Sequence, residues 1–219
     1  MRPQISRALL LVAWAHVTSE LSTTFLPVLY PVLMPVMGLN FTQVGVIALV
    51  AATSMALAQP LFGYISDRWG AVPLASLSIV WIGTAMGFVG FAPTYGTLLV
   101  LIALGSFGSA AFHPPAAVIA ASSSGDKRGS GMSIFSVGGN IGAALSPLWM
   151  TLALTWFGLP GTITVLPLGL AFGIAFYMTL RAGPARATVQ GEKAAATAAD
   201  SFLLGMVLIV VAMMFRSWF

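Results

Sequence analysis

His16 and Glu20 stand four residues apart in a stretch that is otherwise almost wholly apolar. On a helix that spacing places both side chains on one face. Glu20 is the only one of the five acidic residues set inside a long apolar segment; the others lie in short polar stretches. A carboxylate in a hydrocarbon layer is costly, so it pairs or faces a cavity and marks an ion or substrate pathway. An imidazole–carboxylate pair in such a place suits the proton and ion handling of a transporter. The second histidine, His113, lies in another apolar run, within Phe112-His113-Pro114-Pro115. Two readings of it stay open: a member of the same polar site, or a packing residue bonded to a backbone carbonyl that Pro114 or Pro115 leaves without a donor. Arg216, near the end of the chain, is a basic residue inside an apolar run.

The elements that must hold these residues are membrane helices. Hydrophobic residues make up 58% of the 219-residue chain and charged residues only 6%. That ratio excludes an ordinary soluble domain. The net charge of +4 comes from residues between apolar spans, where they set topology, and forms no nucleic-acid patch. With no cysteine there is no disulfide and no thiolate metal site. No metal-ligand pattern or nucleotide loop stands out, and no cofactor is expected. The basic N-terminus before an apolar run resembles a signal peptide, but the run continues too far and lacks a cleavage site, which predicts a retained first span.

A span needs about 20 mostly apolar residues. Candidates run over 8–36, 42–64, 71–92, 96–121, 130–156 and 161–181, with a further one over 202–219. The runs are continuous rather than alternating, so helices, not barrel strands, are expected. Arg2, Arg7, Arg68, Lys127, Arg128, Arg181, Arg186 and Lys193 all fall on one side of this array, and the opposite connectors carry no charge. The positive-inside rule places that side, with the N-terminus, in the cytoplasm. The polar stretch 182–201 reads as a flexible cytoplasmic linker. The expected organisation is a six-helix bundle over 1–181, the linker, and the first helix of a truncated second bundle over 202–219. The end at Phe219, late in an apolar run, is expected of a chain whose second half is missing.

Three further patterns carry competing readings. Gly63-Tyr64-Ile65-Ser66-Asp67-Arg68-Trp69-Gly70 joins the second and third spans, and a turn this short is expected to need glycine at both ends. It is either an ordinary charged turn or a gating loop. The fifth span holds Gly138-Gly139-Asn140-Ile141-Gly142 and then Ser146-Pro147. Glycines four apart allow close helix approach, and Asn140 is the polar residue there placed to reach a substrate. Pro27, Pro31 and Pro35 recur at intervals of four; they either kink the outer end of the first helix or terminate it early.

The second–third connector resembles the signature loop of the major facilitator superfamily. It departs from that pattern at its end, where Ala71 and Val72 stand in place of further basic residues. Several pieces together resemble the fosmidomycin resistance protein family: His16 and Glu20 followed by Phe25-Leu26-Pro27; Gln59-Pro60-Leu61-Phe62-Gly63-Tyr64; Phe112-His113-Pro114; and Phe135-Ser136-Val137-Gly138-Gly139-Asn140. In that family an acid usually follows Phe-His-Pro, where this chain has Pro115, and a basic residue follows soon after, where it has Ala and Val. This removes a possible charge pair near His113 and leaves the substrate unnamed.

The resemblance implies an all-α membrane protein with the six-helix N-terminal bundle of the major facilitator fold, two inverted three-helix repeats, plus a seventh transmembrane helix. It implies a proton-coupled exporter of small drug-like or anionic compounds in the bacterial inner membrane, working by alternating access. Asp67 and Arg68, framed by Gly63 and Gly70, would gate its cytoplasmic side. The first and seventh helices would be symmetry mates lining one cavity. Arg216 lies roughly 20 Å from the start of its span at 1.5 Å per residue, and Glu20 lies at a similar depth, so the two are expected to share that cavity and exchange partners on protonation. The competing expectation is that Arg216 snorkels to the outer interface. The partners expected are protons, a small-molecule substrate, the lipid bilayer and the missing half of the protein, with no nucleic acid. The alternatives are uptake by symport, a non-transporting receptor or assembly subunit, and an intramembrane enzyme. The last lacks a serine nucleophile in a suitable setting beside either histidine.

Overall fold

The computed structural model describes residues 6–125 and 127–181. Among them the chain forms helices with no strand, and six spans are long and apolar enough to cross a membrane. The first span comprises α1 (Arg7–Thr23) and α2 (Leu26–Met37). The second is α3 (Phe41–Trp69), and the third is α4 (Ala71–Gly87) with a 3₁₀ turn at Val89–Phe91. The fourth is α5 (Tyr95–Ser122) and the fifth α6 (Arg128–Phe157). The sixth is a 3₁₀ turn at Leu159–Thr164 leading into α7 (Val165–Leu180). The expected linker 182–201 and seventh span 202–219, with Arg216, lie outside the described residues.

Local chemistry sets the boundaries. Ser6 caps α1: its hydroxyl accepts from the Leu9 amide at 3.1 Å and donates to the Ser123 carbonyl at 2.9 Å. Asn40 and Gln43 form a reciprocal capping box at the start of α3, both bonds at 2.9 Å. The first span breaks at Thr24 and Phe25. Pro27 has no N–H to donate to the Thr23 carbonyl, and its ring crowds that carbonyl. The Glu20 carbonyl instead takes both the amide and the hydroxyl of Thr24, at 3.0 and 2.7 Å. The helix then resumes through Pro31 and Pro35 to Gly38, whose φ of 65° ends it. Kinking is therefore the outcome, and early termination is not.

The second–third connector is shorter than expected. α3 continues to Trp69 and α4 begins at Ala71, leaving only Gly70, with φ of 99°, between them. Gly63 lies inside α3, where an added Cβ would meet only the Pro114 side chain, at 3.9 Å. The expectation of a turn with glycine at both ends fails at Gly63. Ser66, Asp67 and Arg68 are polar, yet a helix can extend beyond the hydrocarbon layer, so polarity marks the end of the membrane rather than the end of the helix.

With lipid on the outside there is little hydrophobic drive between helices, and small residues that permit close approach do the packing. α1 lies against α6, α5 lies against α3 and α4, and α4 lies against α7. At the α4–α7 crossing, a Cβ on Gly83 or Gly169 would stand 2.9 Å from the other's Cα. On α6, a Cβ on Gly142 would stand 2.9 Å from Val17 Cα, and one on Gly138 would stand 3.2 Å from Ala13 Cα. One turn beyond Gly142, the Ser146 hydroxyl donates to the Leu21 carbonyl at 2.7 Å. Leu9, Val12, Ile79, Met86, Ile102 and Phe112 fill the space between.

Gly142→Leu should therefore push α6 off α1 and lower stability by about 1–3 kcal/mol, the usual cost of overpacking. Gly129→Ala, which meets nothing within 4 Å, should be neutral to slightly stabilising. Unfolding midpoints of the two variants in detergent separate these outcomes, and equal midpoints would contradict the close approach.

Candidate functional site

The α1–α6 contact seats the first histidine. A Cβ on Gly139 would fall less than 3.0 Å from three atoms of the His16 ring, so only glycine leaves room for the imidazole. The ring stacks on Phe135, centroids 4.0 Å apart at 21°. Its Nδ1 lies 2.8 Å from the Phe135 carbonyl. A carbonyl oxygen only accepts, so Nδ1 carries a hydrogen and Nε2 is the atom turned toward Glu20. His16 is buried, and its Nε2 lies 3.6 Å from Glu20 Oε1.

α5 supplies the second histidine from the opposite side. His113 Nε2 lies 3.4 Å from the same Oε1 and 3.2 Å from the Ser109 hydroxyl one turn earlier. The two imidazoles meet edge to face at 5.2 Å. His113 is thus held by side chains and not by a carbonyl left free by proline; His16 is the histidine bonded to backbone. Both imidazoles converge on one carboxylate oxygen. Such a contact is attractive only with a proton between nitrogen and oxygen, on the ring or on the carboxyl.

Glu20 also opens on a cavity of about 450 Å³ between the first, second and fourth spans. Thr23, Thr24, Tyr30, Ser106 and Ser109 bring hydroxyls to its wall; Ala48, Ala51, Ala52 and Met55 of α3 form an apolar face opposite. The small residues of α3 leave the room, and Leu26, Pro27 and Tyr30, beyond the break in the first span, complete the wall.

The other expected site residues fall elsewhere. Asn140 is exposed on α6, next to Gly139 but outside the triad and outside the cavity wall. Asp67 and Arg68 are exposed at the end of α3, where the Arg68 guanidinium lies 4.7 Å from the centre of the Tyr64 ring. Gly70 forms the turn that follows. The pairing of Glu20 with Arg216 falls outside the described residues. Sequence reasoning missed Phe135, Gly139 as the seat of His16, and Ser109 as a partner of His113. The Ser109–His113 spacing of four was the available signal for the last.

The sequence matches the Major Facilitator Superfamily over residues 12–219. It is 33% identical over 157 residues to an uncharacterized MFS-type transporter of Bacillus subtilis, covering 71% of this chain and 38% of that protein. It is 29% identical over 147 residues to the fosmidomycin resistance protein of Escherichia coli, covering 67% and 36%. A probable 4-methylmuconolactone transporter of Cupriavidus pinatubonensis is 30% identical over 150 residues, covering 68% and 33%. The chain thus spans little more than a third of the length of these curated relatives. A crystal structure of a mutant peptide transporter POT with sulfate superposes with a TM-score of 0.67 at 21% identity, covering 96% of this chain and 47% of that one. That likeness is one of fold.

The seat of His16 makes a spectroscopic prediction. In ¹⁵N NMR of histidine-labelled protein, His16 should show a protonated Nδ1. Gly139→Val, which drives the ring from the Phe135 carbonyl, should remove that signal. An unprotonated Nδ1 in the wild type would overturn the assignment.

Proposed function

Since the chain belongs to the Major Facilitator Superfamily, a family of membrane transporters and not of enzymes, we propose that it forms the N-terminal bundle of a proton-coupled exporter of small drug-like or anionic compounds. The observation that carries this reading is the triad: a carboxylate within the first span, flanked by two imidazoles and opening on a cavity. Protonation and release at Glu20 would alternate as the two halves rock around the site. Asn140 and Arg216 would meet the substrate or the opposite half, and Asp67 and Arg68 would latch the cytoplasmic side. The distribution of basic connectors supports a cytoplasmic N-terminus in a bacterial inner membrane. Export is favoured by the relative named as a fosmidomycin resistance protein. The relative named as a probable 4-methylmuconolactone transporter favours a second reading, uptake of a small organic metabolite by symport.

Substrate-triggered proton movement in inverted vesicles, measured with the full-length gene product, tests both. Antiport should move protons out of the vesicles as substrate enters, and symport should move them in the same direction as substrate. Glu20→Gln should abolish the proton flux in either case. Transport that survives this substitution with unchanged pH dependence would remove Glu20 from the coupling.

A further inference from the structure

One ligating atom from each of His16, Glu20 and His113 lies within 4.8 Å of the others. In a tetrahedral site with bonds of about 2.0–2.2 Å, ligand atoms stand about 3.3 Å apart. The 3.6 and 3.4 Å separations from Glu20 Oε1 to the two imidazole nitrogens approach that spacing before any metal draws them in. Two imidazoles and one carboxylate form a donor set that leaves a fourth position for water, and here Glu20 opens on the cavity, from which water can enter. The outer sphere is also in place. The Phe135 carbonyl fixes the His16 tautomer with Nδ1–H outward and the Nε2 lone pair inward, the arrangement that orients and strengthens a ligating imidazole. Ser109 is the one competitor, because its hydroxyl shares His113 Nε2 and must turn away when a metal binds.

We infer that His16, Glu20 and His113 form a binding site for a divalent transition-metal cation, with zinc the best fit. Imidazole donors select against magnesium and calcium, which take oxygen ligands. The absence of cysteine from the chain removes the thiolate that copper(I) would favour. The inference departs from the sequence expectation of no metal site, because this set is completed across two helices and leaves no pattern of spacing along the chain. It goes beyond the proposed function: a bound cation takes the lone pairs that would otherwise share protons, so zinc should inhibit transport.

Cobalt(II) titration of tag-free, full-length protein in detergent reads the site directly. The wild type should develop the intense visible absorption of four-coordinate cobalt, zinc should displace it, and magnesium should not. His113→Gln and Glu20→Gln, each checked for wild-type elution on size exclusion, should weaken cobalt binding at least about tenfold. In the wild type, cobalt should also broaden the His16 ¹⁵N signal, a readout that does not depend on any variant. A cobalt spectrum unchanged in both variants, or a His16 signal untouched by the metal, would overturn the site. Tight cobalt binding with transport indifferent to zinc would keep the metal site and count against the triad's place in the transport path, so the two readings fail separately.

Discussion

The close approach of α1 and α6 is the contact on which the other features depend. Gly138 and Gly142 let the two backbones meet without intervening side chains, and Gly139 leaves the space that the His16 ring fills. Once the ring is seated, its Nδ1 is committed to the Phe135 carbonyl and its Nε2 has one direction in which to point. The position of Glu20 follows from the helix that carries it. In a bilayer, where apolar surface gives helices little reason to prefer one another over lipid, such a contact is set by shape. A larger side chain at any of these glycines would displace the first span and with it the carboxylate.

A second constraint is the treatment of polar groups. Many hydroxyls of the spans donate to the carbonyl one turn back: Thr18, Ser22, Ser76, Ser78, Thr151 and Thr179 among them. These side chains are satisfied within their own helix and ask nothing of a neighbour. Ser146 and Thr162 are different, because they bond across helices, to Leu21 and Gly87. The triad differs again, since its three groups face one another and its carboxylate opens on the cavity. Many of the deep polar groups among the described residues thus either quiet a helix or join two helices, the triad standing apart from both and the buried Ser19 hydroxyl having no hydrogen-bond partner.

Much of this was legible in the sequence and some was not. Apolar runs of span length gave the six helices, because in hydrocarbon the backbone has no other way to satisfy itself. The four-residue interval gave the His16–Glu20 pair, and the interval between Gly138 and Gly142 gave a close helix contact. The place of His113 could not be read from spacing, for it depends on how α5 lies against α1. The bond from His16 to Phe135 spans 119 residues of chain and has no local signature. Gly63 misled for the opposite reason: it sits in a recognisable motif, but the helix around it runs on to Trp69. Sequence pattern speaks for contacts within an element and falls silent where two elements meet.

The break at Thr24 and Phe25 gives the first span two mechanical regimes. Below it, α1 is clamped to α6 along the glycines and by Ser146. Above it, α2 begins afresh, and the Glu20 carbonyl that closes α1 is already satisfied by Thr24. The hydrogen bonds that close α1 are thus complete without α2, which is held instead by side-chain packing through the buried Leu29 and Leu33. Leu26, Pro27 and Tyr30, which lie on α2, form part of the cavity wall beside the carboxylate. A change in the tilt of that segment would reshape the cavity beside Glu20 without altering the α1–α6 contact that holds the acid.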